Sequence, residues 1–107
     1  MARTLVVLAI LLFASSAQSH IAPASSTQPF GWMYDPSCCS IRDCAPMPPG
    51  EIVATEQGWR VESTGEVIPY TSSKIKRSRD DLFHRCAISG DFTRKTSLCL
   101  YVPDMGF

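Results

Sequence analysis

Five cysteines and a histidine carry most of the reactive chemistry in this chain. Cys38, Cys39 and Cys44 form one cluster, and His84, Cys86 and Cys99 follow further along. Thiols at this density can form disulfides, hold a soft metal or act as nucleophiles. The choice depends first on compartment, because disulfides persist where the surroundings oxidise. The odd count leaves at least one thiol outside any intrachain disulfide.

The N-terminus bears on compartment. Met1-Ala2-Arg3-Thr4 has one positive charge, Leu5 to Ala14 is apolar, and Ser15-Ser16-Ala17-Gln18-Ser19 is small and polar. That order is the n-region, h-region and cleavage site of a secretory signal peptide. The apolar run falls well short of the ~20 residues that span a bilayer. Residues 1–19 therefore read as a leader, cleaved after Ala17 or Ser19, with no membrane span afterwards. The expected location is periplasmic or secreted, where the cysteines serve as disulfide staples.

Metal is the competing chemistry. Cys38, Cys39, Cys44, His84, Cys86 and Cys99 offer soft or borderline ligands that zinc or Cu(I) would accept. The spacing lacks a Cys-x2-Cys knuckle, and no cofactor is expected. Cleavage after Ser19 would expose His20 as an N-terminal residue able to chelate copper, in an arrangement that resembles a histidine brace. Catalytic patterns are missing: no Gly-x-Ser-x-Gly, no His-Glu-x-x-His, no phosphate loop and no Cys-x-x-Cys redox pair. A leftover thiol with His84 as its base is the one enzymatic arrangement the residue types allow. A mature chain of about 88 residues leaves little room for a water-excluding cleft, so the reading is non-enzymatic. Without Arg3, nine basic and ten acidic residues remain, a balance with no drive toward nucleic acid.

The elements that would hold these residues are mainly β. Residues 20–29 are small, polar and proline-punctuated, and read as a flexible mature N-terminus. Residues 30–107 form a single small domain. Within it, residues 30–50 read as an irregular stapled loop, rich in proline after Cys44. Ile52–Thr55, Trp59–Ser63 and Glu66–Tyr70 read as a three-stranded meander. A two-residue Thr64-Gly65 turn would set Val61 opposite Ile68 and Trp59 opposite Tyr70. Residues 71–81 carry a basic cluster, Lys74, Lys76, Arg77 and Arg79, and read as a loop with a short helical turn capped by Ser78. A C-terminal hairpin at 82–102 would bring Cys86 opposite Cys99 and His84 opposite Tyr101.

That register favours a Cys86–Cys99 disulfide, worth about 3 kcal/mol by loop closure. The alternative pairs each of these cysteines with one of Cys38, Cys39 and Cys44. The leftover thiol is expected in that N-terminal cluster. Neighbouring residues of an extended segment point to opposite sides, which would leave it accessible. A disulfide-linked homodimer is then consistent with an oxidising compartment.

The stretch Trp32-Met33-Tyr34-Asp35-Pro36-Ser37-Cys38-Cys39-Ser40-Ile41-Arg42-Asp43-Cys44 resembles a group of small exported, cysteine-containing alphaproteobacterial proteins. The likeness continues through Gly58-Trp59-Arg60-Val61, Ile68-Pro69-Tyr70, Phe83-His84-Arg85-Cys86 and Cys99-Leu100-Tyr101-Val102-Pro103. It implies an exported class and no mechanism. Members often carry a histidine just before the Trp-Tyr element, where this chain has Phe30-Gly31. The functional expectation is a non-catalytic binding or structural module for a protein or cell-envelope ligand. The alternative is a metal- or thiol-handling protein using Cys38, Cys39 and Cys44 with His84.

Overall fold

The computed structural model describes residues 21–39 and 43–105. The leader, His20 and Arg42 lie outside the described residues. Nine short strands make up the framework. They are β1 (Ile21–Ala22), β2 (Trp32–Met33), β3 (Cys44–Pro46), β4 (Ile52–Ala54), β5 (Trp59–Val61), β6 (Val67–Ile68), β7 (Ile75–Arg77), β8 (His84–Cys86) and β9 (Cys99–Val102). They assemble into a β1-β2 ribbon, a β4-β5-β6 meander and a four-stranded sheet ordered β3-β8-β9-β7. The domain is mainly β and disulfide-stapled, with the meander and the C-terminal hairpin in the places the sequence indicates.

β9 organises both cores. Its side chains alternate across the sheet, as strand geometry requires. Cys99 and Tyr101 enter a cluster with Ala22, Trp32, Tyr34, Cys38, Cys39 and Cys86. Leu100 enters the other cluster with Ile52, Val61 and Ile68, and Val102 packs against it. The hairpin register matches expectation, with His84 opposite Tyr101 and Cys86 opposite Cys99.

The meander register is displaced by two residues. Trp59 faces Ile68 and Arg60 faces Val67. The connection is a longer turn through Glu62-Ser63-Thr64-Gly65, in which the Thr64 and Gly65 amides donate to the Val61 carbonyl at 3.3 and 2.8 Å. The longer turn lets the Glu62 amide reach the Glu51 carbonyl (2.8 Å) and the Ser63 amide reach the Glu51 carboxylate (2.9 Å). A two-residue loop would forgo both bonds. An even displacement keeps every side chain on its own face. Val61 and Ile68 therefore stay buried, and Trp59 still meets Tyr70 edge-to-face at 5.5 Å.

Three segments read as irregular contain strands. β3 runs antiparallel to β8; its Pro46 is tolerated because β3 is the sheet's outer strand. β7 runs parallel to β9, and residues 79–82 form bends where the sequence indicates a helical turn capped by Ser78. Ile21–Ala22 pairs with Trp32–Met33, so the start of the 20–29 segment is ordered against the core.

The disulfides join Cys38 to Cys99 and Cys44 to Cys86. The Cys86–Cys99 bridge is overturned although the two are register partners. Cys86 has Cys44 on its other flank, with Cα atoms 4.0 Å apart, and Cys99 meets Cys38 at 5.6 Å. The leftover thiol is Cys39, inside the expected cluster but buried at 2% exposure rather than accessible. The segment is not extended there: the Cys38 and Cys39 amides both donate to the Asp35 carbonyl, at 2.9 and 3.2 Å. That tight turn sends both side chains inward, so a Cys39-linked homodimer would require it to open.

The bridges close 61 and 42 residues of chain, each worth about 4 kcal/mol in the chain-entropy model. Tryptic mapping of the non-reduced protein should show these two linkages, with Cys39 alkylated only after denaturation. Gly58 and Gly65 both have positive φ, but only at Gly58 would a Cβ collide with backbone, 2.1 Å from the Ile68 carbonyl oxygen. Gly58→Ala should cost about 2–3 kcal/mol and Gly65→Ala about 1 kcal/mol, read from urea midpoints.

Candidate functional site

The chemistry-bearing side chains of the larger core form one connected network. It starts in the turn after β7. The Ser78 hydroxyl and the Leu82 amide both donate to Oδ1 of Asp80, each at 2.9 Å. From β2, the Trp32 indole N–H donates to Asp80 Oδ2 at 2.8 Å. From β8, His84 Nε2 lies 2.8 and 3.0 Å from the two carboxylate oxygens. Because Nε2 faces only acceptors there, it carries the imidazole proton. Nδ1 then accepts from the Tyr34 hydroxyl at 2.7 Å.

The rings pack edge-to-face around this chain. Trp32 lies 4.9 Å from both Tyr34 and His84 and 5.2 Å from Tyr101, contacts worth about 0.5–1.5 kcal/mol each beyond area burial. Tyr101 extends the network outward: its hydroxyl accepts from the Asp35 amide (2.8 Å) and donates to Asp35 Oδ2 (3.1 Å).

Protonation follows from these contacts. Burial pushes the Asp80 carboxyl up, but donors from Trp32, His84, Leu82 and Ser78 outweigh it and hold Asp80 below the usual carboxylate range. Burial drives His84 below its ordinary value, and Asp80 only partly restores it. Burial raises Tyr34 far above an ordinary phenol and Tyr101 to about 12. The network therefore holds one carboxylate anion, a neutral imidazole and neutral phenols. Its Asp–His–hydroxyl order is that of a proton relay, but Tyr34 is 3% and His84 0% exposed. The hydroxyl end is closed within the core.

A second network fixes the loop between β8 and β9. Arg85, fully buried, donates to the Ser97 hydroxyl (2.7 Å) and to the carbonyls of Phe92 (2.7 Å) and Arg94 (2.5 Å). Ser97 in turn donates through its amide (2.8 Å) and hydroxyl (2.5 Å) to the Glu66 carboxylate. Satisfied in this way, the buried guanidinium ties the loop to β6.

Apart from Cys39, which is in neither disulfide, the candidate ligands seen in the sequence are committed elsewhere. Cys38, Cys44, Cys86 and Cys99 are bonded to one another, and both His84 nitrogens have protein partners. Among the described residues no group of His, Cys, Asp and Glu is arranged to hold a metal ion. The sequence marks His84 as a candidate ligand or base but gives no sign of Asp80, Tyr34 and Arg85 as members of buried networks. Asp80 sits in the polar run Ser78-Arg79-Asp80-Asp81, where nothing marks one carboxylate as buried.

Directly outside the Asp80 network lies a groove of about 680 Å³. Trp32 and Tyr101 line its inner part. Met33, Lys76, Arg77 and Arg79 also line it, together with Asp35 and Asp81. Three members of the basic cluster thus come together here. The chain matches no family model, no curated protein and no solved structure.

The network sets a pH dependence of stability. The folded pKa values of His84 and Asp80 both lie below their unfolded ones, so the unfolded chain takes up protons first as pH falls. Stability should be full above about pH 6.5, decline below it as unfolded histidine charges, and decline again below about pH 4. Urea unfolding from pH 7 to 5 should show the first decline, and His84→Gln should remove that slope. Tyr34→Phe, which strips His84 Nδ1 of its donor, should cost about 1–3 kcal/mol at pH 7.

Proposed function

We propose that this protein is an exported, non-catalytic binding module whose ligand face is the groove beside Trp32. One observation carries the reading: four of the five cysteines are bonded in disulfides, Cys39 is buried, and His84 is held by hydrogen bonds within the core, while the groove beside Trp32 has an accessible rim. Concave sites with aromatic surface and a few placed polar groups are the usual ligand sites. Met33, 65% exposed, gives this one an apolar lip.

The two long-range disulfides suit an oxidising compartment, in keeping with residues 1–19 as a cleaved leader and a periplasmic or secreted destination. Membership of the exported cysteine-containing group that the Trp32–Cys44 stretch resembles belongs to the same proposal. The rival, metal or thiol handling through Cys38, Cys39, Cys44 and His84, would need the disulfides of Cys38 and Cys44 and the hydrogen bonds of His84 to be dismantled and Cys39 to be uncovered.

The test is the intact mass of the full chain expressed with its own leader in a diderm bacterium and recovered from the periplasm. The expected product begins after Ala17 or Ser19 and carries two disulfides, one thiol and no metal. Cytoplasmic retention with the leader attached would overturn export. A bound metal with reduced cysteines would replace the binding-module reading with metal handling.

A further inference from the structure

The basic wall of the groove is also an open sheet edge. β7 is the outermost strand of its sheet and pairs only with β9. The Leu100 amide donates to the Lys74 carbonyl and the Ser78 amide to the Val102 carbonyl, each at 2.9 Å. Main-chain groups alternate in direction along a strand. Lys74, Lys76 and Ser78 therefore face β9, whereas Ile75 and Arg77 turn their main-chain groups outward. The Ile75 amide is taken up in a turn with Ser72. The Ile75 carbonyl and the Arg77 amide and carbonyl remain on the edge, with no hydrogen-bond partner among the described residues.

The main chain just past this edge is already used once. The side-chain amide of Gln28, in the loop between β1 and β2, donates to the Arg79 carbonyl at 2.9 Å. Arg79 lies in the bend that follows β7. A side chain there bonds the main chain much as an added strand would along β7.

We propose that the groove binds an extended polypeptide segment, which adds to β7 as a further strand through main-chain hydrogen bonds at Arg77. The proposal rests on the reading of the groove as the binding face. An extended peptide supplies an alternating donor and acceptor at the spacing this edge presents. Lys76 and Arg79 stand with Asp35 and Asp81 around the groove, a rim suited to a segment bearing both signs of charge. A polyanion such as nucleic acid or an anionic lipid surface would meet Asp35, Asp81 and Asp104. A second copy of β7 would set Lys76 and Arg77 against like charges, the usual device that keeps edges from self-pairing.

The probe is a set of heptapeptides selected from a random displayed library on the full-length protein and resynthesised. Arg77→Pro deletes the outward amide, and an outer strand accepts proline where the N–H faces outward. Arg77→Ala removes the same side chain and keeps the amide. Arg77→Pro should weaken binding at least about tenfold and Arg77→Ala less than about threefold, as loss of one main-chain bond predicts. N-methylation of alternate peptide amides should abolish binding, and it decides the matter alone if Arg77→Pro does not fold. Equal loss in both variants, or indifference to every N-methylation while groove amide resonances still shift, overturns strand addition and leaves the groove as the binding face. Peptides that shift only resonances outside the groove overturn both. Failure to enrich any peptide overturns a polypeptide ligand.

Discussion

The ionised Asp80 carboxylate, taken out of water with no cation to pair with it, is the constraint around which the larger core is arranged. An isolated buried carboxylate would cost several kcal/mol or surrender its charge. Here it stays charged because donors converge on it from β2, β8 and the turn after β7. Ser78, Leu82 and His84 lie close to Asp80 in sequence, whereas Trp32 is remote, so the anion is fully satisfied only once β2 docks on the turn. Tyr34 then has one geometry in which to meet His84, and Tyr101 one in which to meet Asp35. Trp32 takes part twice, as a donor to Asp80 and as the ring on which its neighbours pack.

The disulfides act on the same assembly from its other side. Cys38–Cys99 ties the Asp35 turn to β9, and Cys44–Cys86 ties β3 to β8. A core this small has little apolar area with which to offset chain entropy. The covalent links remove part of that entropy from the unfolded chain, while the polar network gives the folded one a unique arrangement. The smaller core under the meander is apolar and relies on the alternation of β5 and β9.

Legibility in the sequence follows the range of the interactions. The meander and the hairpin were readable because their pairing is local and their side chains alternate, and even the misplaced turn left each residue on its proper face. β3 and β7 were not, because each depends on a partner remote in sequence and neither carries a strong periodic signal. The cysteine count gave two bridges and a leftover thiol in the right cluster. It could not give the pairing, because Cys86 has a cysteine on both flanks, and it joins Cys44 while Cys99 is taken by Cys38. Burial of Cys39 depends on a turn that only the Asp35 carbonyl bonds reveal. Asp80 was hidden by composition: a serine, an arginine and two aspartates in a row look solvated until the fold turns one inward.

β9 is the strand furthest along the described chain, yet it lies inside the four-stranded sheet and contributes to both cores. A chain delivered N-terminus first can close the local β4-β5-β6 meander early, but its four-stranded sheet lacks an inner strand until the end. β8 lacks its hairpin partner, β7 has no neighbour at all, and Cys38 has no sulfur to join until residue 99 appears. Assembly becomes a late, collective event gated by the last strand to arrive, with long-range pairing that is intrinsically slow. Until then the polypeptide stays threadable, and its thiols stay open to whatever oxidant or chaperone meets it first.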